Sequence, residues 1–592
     1  MKGVEDSRSL WLTAAALALL WGVGMLGRGY WTPDEPREAA LAASVSAHAL
    51  ALPALGGVAF AEKPPLTYWL AGASMARFGH GAAAARLPQL AYALLAFFSV
   101  VALARALLAG KENAPALALA AGAVFATGAL VYQVQIWLDT DALLLAGVCL
   151  ALAGMYSGLA ATARQGRLRG YLAMHAGLTL AFFGKNFAAW LVPVLAYLCF
   201  IAWERRWREL LRWEFWLGAL LPLACIAAWV QSVAARPDGA QLLRILFWNN
   251  LVGRVLPVAA EAHYDYAGGH PNWPGRYFAE LPLYLLPWTA LALYALRAAW
   301  RGARQSGAYR AAWRFALCAA LPGLLLLSLV ATGRSIYAAP CMIGFVLLIA
   351  LWMAEAGAEA GVAPARRAVS ITALLVAVLA LLVLALALAL QSTVARSSWL
   401  QFLLSAIAAV VVVVVALRQG LARSTTLFVA VTRLAAAWCL LFSLGALSLF
   451  AALDRSQDIE GLAARVTQAA GPEPLLLWNP DETTIAWAQL YLPAARWTAI
   501  DAADTGAAAL LQERLQRAPR TMIVSMIGGK GWSTAQWLAY LQGRATVAEL
   551  TGPQAPSEPT LSAAGLVSSN QVERPGGRGY LLWRSSAGAP TP

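Results

Sequence analysis

Charge is scarce in this sequence, and the places where acids and bases stand close together are the ones that could do chemistry. One reads Tyr30-Trp31-Thr32-Pro33-Asp34-Glu35-Pro36-Arg37-Glu38, and a second reads Ala61-Glu62-Lys63-Pro64-Pro65-Leu66-Thr67-Tyr68-Trp69. A third, Asp139-Thr140-Asp141, stands at the mouth of an apolar run, where a carboxylate is costly to desolvate and tends to mark function. Lys185 interrupts another apolar run, and Arg334 precedes Ser335-Ile336-Tyr337 at the end of a further one. The cations Arg37, Lys63, Lys185 and Arg334 suit a phosphate at the membrane edge, because arginine can hold its oxygens bidentately. The carboxylates Asp34, Glu62 and Asp141 suit activation of an acceptor, or stabilisation of positive charge growing on a sugar ring.

Each feature also has a plainer reading. The loop charges can be solvated residues or helix caps, and Asp139 is read mainly as an N-cap, with Asp141 as the functional carboxylate. Lys185 can snorkel to the interface, although a buried lysine otherwise needs an anionic or carbonyl partner. Arg334 can be an interfacial anchor. His263 and His270 lie in a polar stretch, where a lone histidine becomes a metal ligand only beside a carboxylate.

The elements that would position these groups are membrane helices. Of 592 residues, 60% are hydrophobic and 12% charged, against about 25% charged in soluble domains. Apolar runs near the ~20 residues needed to cross a bilayer recur, most clearly at 10–26, 87–108, 142–160 and 369–390. The net charge of +14 comes largely from arginines between these runs, a topology signal that offers no basic face for nucleic acid. All six cysteines (149, 199, 225, 318, 341 and 439) fall in apolar segments without metal-ligand spacing. Gly27-Arg28-Gly29-Tyr30-Trp31 follows the first run in place of a small-residue cleavage site, so that run is expected to be a retained helix.

Basic residues, nearly all arginines, cluster around 105–111 (Arg105 and Lys111), 164–169, 205–212, 297–314, 366–367 and 418–423. Counting spans between them predicts about 13 transmembrane helices, with the N-terminus cytoplasmic and the C-terminus outside. Residues 28–86, 137–141, 235–277 and the tail from Asp454 then share the non-cytoplasmic face, and they carry nearly all the unusual polar residues. Pro33 and Pro36 are expected in the first turn of an interfacial helix, and Pro64-Pro65 at the start of a second.

At these residues the sequence resembles the bacterial aminoarabinose transferases, within the wider group that includes protein O-mannosyltransferases. The resemblance rests on Asp34-Glu35-Pro36-Arg37, then Glu62-Lys63-Pro64-Pro65-Leu66 with Tyr68-Trp69. It continues through Asp141, Phe183-Gly184-Lys185, Val192-Pro193, Phe247-Trp248, Arg254, His270, Pro287-Trp288 and Arg334 to Pro340. It implies a polytopic GT-C membrane fold and an inverting transferase that uses polyprenyl-phosphate (undecaprenyl-phosphate) sugars. It further implies Asp34 and Asp141 as catalytic carboxylates, and Arg37, Lys63, Lys185, Arg334 and Tyr337 as contacts of the carrier phosphate. Glu62 with His270 would be the candidate holders of a divalent metal. This chain departs from the pattern at Glu38, where relatives often carry tyrosine, and at Asn186 and Arg334, where they often carry glycine and lysine.

From Asp454 the composition shifts. Residues 475–478, 521–525 and 580–583 read as strands, and 483–492 and 534–541 as helices, so a small soluble α/β domain is expected over 454–592, after a membrane domain over 1–453. Gly528-Gly529-Lys530-Gly531 lacks phosphate-loop spacing and reads as a turn, and no nucleotide cofactor is expected. Two other readings compete with the transferase: a lipid-linked sugar transporter or flippase, and a non-catalytic envelope assembly protein. Transporters, however, place their charges near the midplane and often show internal repeats. For the transferase, lipid A, another glycan and a protein hydroxyl are all open as acceptors.

Overall fold

The computed structural model describes residues 2–45, 50–254, 272–356, 363–393, 398–422, 426–501, 506–517, 521–527, 566–573 and 579–585. The chain begins with helix α1 (Lys2–Leu26), followed by two short helices, α2 (Asp34–Ala43) and α3 (Leu66–Phe78), with the hairpin β1 (Ala54–Leu55) and β2 (Val58–Ala59) between them. A first bundle follows: α4 (Ala82–Leu107), α5 (Ala114–Thr127), α6 (Ala129–Ile136), α7 (Asp141–Ala160), α8 (Arg164–Lys185), α9 (Leu191–Trp203) and α10 (Trp213–Ala234). After the short α11 (Gly239–Arg244) come α12 (Arg276–Tyr284), α13 (Thr289–Gly302), α14 (Arg310–Leu327), α15 (Ala339–Ala356), α16 (Ala363–Thr393), α17 (Trp399–Leu421), α18 (Leu427–Leu440) and α19 (Leu447–Ser456).

Among the described residues nine helical segments are long and apolar enough to cross a membrane, or ten if α5 and α6, bent by 67°, form one span. The chain is therefore a multi-pass membrane protein. That number lies below the count from apolar runs for identifiable reasons. The apolar part of α1 is short, α8 and α9 run together as one 40-residue segment, and α13 has only 14 residues. The interruption expected around Gly184-Lys185-Asn186 is real: Asn186 adopts a φ of 51°, a left-handed value that asparagine tolerates better than most residues.

Helices α7 and α15 are enclosed by protein on nearly every side, whereas α10, α16 and α17 turn most of their surface outward. In lipid, helices gain little from excluding water, so close approach through small residues does the work. Gly147 and Gly154 of α7 face Gly177 and Gly170 of α8. A Cβ at Gly154 would strike the backbone of Met174, and one at Gly177 the backbone of Ala151. Near the end of the same seam, a Cβ on Gly184 would sit 2.8 Å from the Leu144 amide nitrogen. This antiparallel contact brings the first residue of α7, Asp141, level with the last residue of α8, Lys185.

Helices are present at both expected places, with Pro33 and Pro65 as the N-caps of α2 and α3. After α19 come α20 (Ile459–Ala470), β3 (Leu475–Trp478), α21 (Glu482–Tyr491), β4 (Trp497–Ile500), α22 (Ala507–Arg517), β5 (Met522–Ile527), β6 (Leu566–Glu573) and β7 (Gly579–Ser585). The strands form one sheet in the order β4-β3-β5-β7-β6, in which β3 runs parallel to β4 and β5 while β7 is antiparallel to β5 and β6. Leu475 and Leu477 pack with Val524, Trp487, Leu462 and Val466 in its core. The helix expected at 534–541 and the glycine turn at 528–531 lie outside the described residues.

Gly177→Val should separate α7 from α8 and destabilise the detergent-solubilised protein by about 1–3 kcal/mol, read as a lower midpoint of thermal unfolding.

Candidate active site

The catalytic candidates collect at one end of the bundle, around the first turn of α2. Glu35 anchors that turn. Its carboxylate is fully buried and accepts six hydrogen bonds: from Arg28 Nη1 (2.5 Å) and Nη2 (2.9 Å), Arg86 Nε (3.0 Å) and Nη2 (2.7 Å), and the amides of Trp31 (2.8 Å) and Leu138 (2.9 Å). Burial pushes the Glu35 carboxyl up, but Arg86 and Arg28 outweigh it and hold it below its ordinary value. Arg28 also donates to the carbonyls of Gly24 and Ile136, and Arg86 to those of Met25, Arg28 and Gly29. The end of α1, the start of α4, helix α2 and the 136–138 segment are thereby tied to one carboxylate.

With that turn fixed, Asp34 faces Arg334, whose Nη2 donates to Asp34 Oδ2 at 2.5 Å, and Arg37 reaches Asp34 Oδ1 at 3.3 Å. Arg334 is placed by its own supports. Tyr277 donates its hydroxyl to the Arg334 carbonyl (3.1 Å), and Arg276 donates to the Gly333 carbonyl (2.8 Å). Arg37 is shared further, with Glu38 at 2.9 Å and Glu482 at 2.8 Å.

A second cluster lies one helical turn along. Glu38 accepts from Lys63 Nζ (3.0 Å), Arg37 and the Tyr68 hydroxyl (2.9 Å), and Lys63 also donates to Asp139 Oδ1 (3.2 Å). Burial works against charge on Lys63, but Asp139 and Glu38 prevail and hold its ammonium well above the ordinary lysine value. The same contact, with Lys185 and Arg334 farther off, overcomes burial at Asp139 and keeps its carboxyl well below the usual range. The capping role expected for Asp139 needs correction. Thr140 is the N-cap of α7 and has no side-chain capping bond, while Asp139 binds Lys63 and the Thr140 amide (2.6 Å). Its side chain is turned by the lysine, a partner 76 residues away that local spacing could not reveal.

Asp141 and Lys185 form the third cluster, at 2.6 and 2.7 Å, with the ammonium 4.5 Å from the centre of the Tyr337 ring. The anion that a buried Lys185 requires is thus Asp141.

These clusters border a cavity of about 410 Å³. Glu62, Lys63, Asp141, Lys185 and Tyr337 line it, and Leu144, Val192, Leu327, Val330 and Ile336 supply apolar walls. Asp34, Arg37 and Arg334 are not among the lining residues; Arg37 is directed toward the C-terminal unit by Glu482. Glu62 accepts a hydrogen bond at its carbonyl from Asn250. His263 and His270 lie outside the described residues. Among the described residues no three His, Cys, Asp or Glu side chains meet as a metal cage. Sequence reasoning assigns no role to Glu35, Arg28 or Arg86, and marks Glu38 only as a departure from the family pattern. The signal available for Glu35 was its place inside the Asp34–Arg37 motif.

Residues 62–231 match the family model described as dolichyl-phosphate-mannose-protein mannosyltransferase. The chain is 30% identical over 354 residues to the undecaprenyl phosphate-alpha-4-amino-4-deoxy-L-arabinose arabinosyl transferase of Pseudomonas aeruginosa (strain UCBPP-PA14), covering 58% of this chain and 59% of that protein. It is also 30% identical to the protein of the same name from Edwardsiella ictaluri, over 59% of this chain and 60% of the relative. The match thus spans about three fifths of these relatives' length. In fold the likeness is longer. ArnT from Cupriavidus metallidurans bound to undecaprenyl phosphate superposes with a TM-score of 0.72 at 16% identity, over 99% of this chain and 100% of that one. Its apo state gives 0.69 at 18% identity, over 99% of each.

Replacing Glu35 with Ala would leave Arg28 and Arg86 buried beside each other without the carboxylate they share. The expected loss is about 3–5 kcal/mol, measurable as a fall in thermal midpoint large enough to reduce the yield of folded protein. In sequence over 58% of its length the chain resembles the undecaprenyl phosphate-alpha-4-amino-4-deoxy-L-arabinose arabinosyl transferases, and in fold over nearly its whole length it resembles ArnT.

Proposed function

We propose that this chain is a membrane glycosyltransferase that moves a sugar from a polyprenyl (undecaprenyl) phosphate carrier to an envelope acceptor, with inversion at the anomeric carbon. The observation that carries the reading is the cavity. Apolar walls meet two ammonium groups, Lys63 and Lys185, at one place, which suits an amphiphile with an anionic head and a hydrocarbon tail. The names of the relatives, and the undecaprenyl phosphate in the ArnT structure, point to the same ligand class.

In the proposed reaction the acceptor oxygen attacks the anomeric carbon as the bond to the phosphate oxygen breaks on the opposite face. The electron pair leaves with the polyprenyl phosphate, whose charge grows as it departs. Lys185 and Lys63 line the cavity to meet that charge, with Arg334 adjacent, and a group that interacts more strongly with the leaving phosphate than with the bound donor accelerates the step. All three are ion-paired before the carrier arrives, so binding proceeds as an exchange of carboxylate for phosphate with little naked charge at any stage. Asp34 is the principal carboxylate on the acceptor side. It takes the proton of a hydroxyl acceptor, or offsets positive charge on the sugar ring when the acceptor is already anionic. Lipid A, another glycan and a protein hydroxyl all remain within this class.

The membrane arrangement belongs to the same proposal. Thirteen crossings result when α1, the bent α5–α6 pair and α12–α13 each count as one and α8 and α9 count separately. Arginines at the end of the bundle away from the site (Arg164, Arg206, Arg212, Arg301) favour a bacterial inner membrane with that end cytoplasmic, and the site and an α/β domain from Asp454 periplasmic. A divalent metal held by Glu62 and His270 is a further element, and dialysis against EDTA followed by the transfer assay decides it.

The test is sugar transfer by purified protein, given radiolabelled polyprenyl-phosphate sugars and a membrane lipid and glycan extract. Wild type should transfer label, and Asp34→Asn should lose roughly two orders of magnitude or more. Carrier binding without transfer from any donor would favour a transporter. Lys185→Met should weaken binding of polyprenyl phosphate about 10- to 100-fold, the worth of a hydrogen bond to a charged group, and binding unchanged by that substitution would remove the phosphate from this cavity.

A further inference from the structure

Helix α2 carries both Asp34 and Arg37 and has only ten residues, too few to persist without tertiary support. Glu35 and α3 hold one side of it. The other side is held by residues more than four hundred positions later in the chain. Gln489 of α21 donates its amide to the carbonyls of Ala40 (2.7 Å) and Ala54 (3.2 Å), and its Oε1 accepts from the Gly56 amide (2.7 Å). One side chain thus links α2, the β1–β2 hairpin and α21. Thr483 donates its hydroxyl to the Pro33 carbonyl at 3.2 Å, next to Asp34. Ile485, Ala486 and Leu490 complete an apolar contact with Leu41, Leu55 and Phe60.

The approach to α2 is gripped from the same side. Asp454 accepts from the Gly29 amide (2.7 Å) and the Trp31 indole (3.0 Å), and Gln457 accepts from the Thr32 amide (2.9 Å) and hydroxyl (2.8 Å). Glu482 then acts on the site's own charges. It takes Arg37 Nη1 at 2.8 Å, while Glu38 takes Nε (3.2 Å) and Nη2 (2.9 Å), so Asp34 receives only the 3.3 Å contact. Without Glu482, Nη1 would be released toward Asp34 and Glu38. The Glu482 side chain is 55% exposed, so its pairing adds little to stability, and its effect is expected in the geometry of the site.

We propose that the C-terminal α/β unit is a working part of the transfer site: Gln489 and Glu482 are positioning residues that hold α2 and the Arg37 guanidinium so that Asp34 is presented to Arg334. This rests on the transferase reading for its kinetic consequence, and on geometry alone for its structural one.

The experiment uses the full chain in detergent with Gln489→Ala, Glu482→Gln and Glu482→Asp. Hydrogen–deuterium exchange should quicken about tenfold or more at the α2 amides in Gln489→Ala, with α7 and α15 unchanged. In the transfer assay Gln489→Ala and Glu482→Gln should lower kcat roughly tenfold and leave KM for the polyprenyl-phosphate donor within about twofold, because the cavity walls are untouched. Glu482→Asp, which keeps the charge, should recover most of kcat. Unchanged α2 exchange in Gln489→Ala would overturn the clamp. A raised acceptor KM with kcat preserved would overturn the positioning role and make α21 an acceptor-binding element. If the wild type transfers no sugar, the transferase reading fails by itself, and the exchange result still decides whether the unit holds α2.

Discussion

A single carboxylate, Glu35, sits between two buried arginines and accepts six hydrogen bonds where four segments of chain meet. Burying these ions is costly unless every donor and acceptor is matched, and here the matching is nearly complete. Arg86 and Arg28 spend their remaining N–H groups on backbone carbonyls at the end of α1 and the 136–138 segment. The orientation of α2 is therefore set by a network that tolerates little displacement. Asp34 and Arg37, on either side of Glu35, inherit their directions from it, and Asp139 and Asp141 follow from the same segment one step along the chain.

Around that anchor the site is built from charges that are already paired. Asp34 has Arg334, Glu38 has Lys63, and Asp141 has Lys185. In a region of low dielectric an unpaired charge would shift its protonation state or draw in water. Pairing holds each cation in place. In the proposed transferase, a phosphate entering between them would meet preorganised donors, with the displaced carboxylates close by. In the same proposal, the cavity's apolar walls would take the tail of an amphiphile.

The membrane part supplies rigidity through close packing. The glycine seam between α7 and α8 leaves no room for side chains, so the register of the two helices is set by backbone contact. That register is what puts Asp141 opposite Lys185. The C-terminal unit adds a second constraint from outside the bundle, since α21 closes over α2 and the hairpin with both polar and apolar contacts.

Much of this was legible beforehand. Apolar run length marked most of the membrane helices, Pro33 and Pro65 marked the starts of α2 and α3, and the lysine inside an apolar run implied an anionic partner. The strand at 475–478, and residues 580–583 within the strand Gly579–Ser585, show as short apolar runs between turn residues. Less visible were the bent and short helices, where run length does not distinguish one long broken segment from two crossings. Sequence by itself determined what each segment can be, because hydropathy, proline and charge act within a few residues. Tertiary structure alone decided which carboxylate meets which cation. The Asp34–Arg334 contact spans 300 positions and Arg37–Glu482 spans 445, and contacts at that separation are selected by packing and burial of the whole chain, with no trace in local spacing.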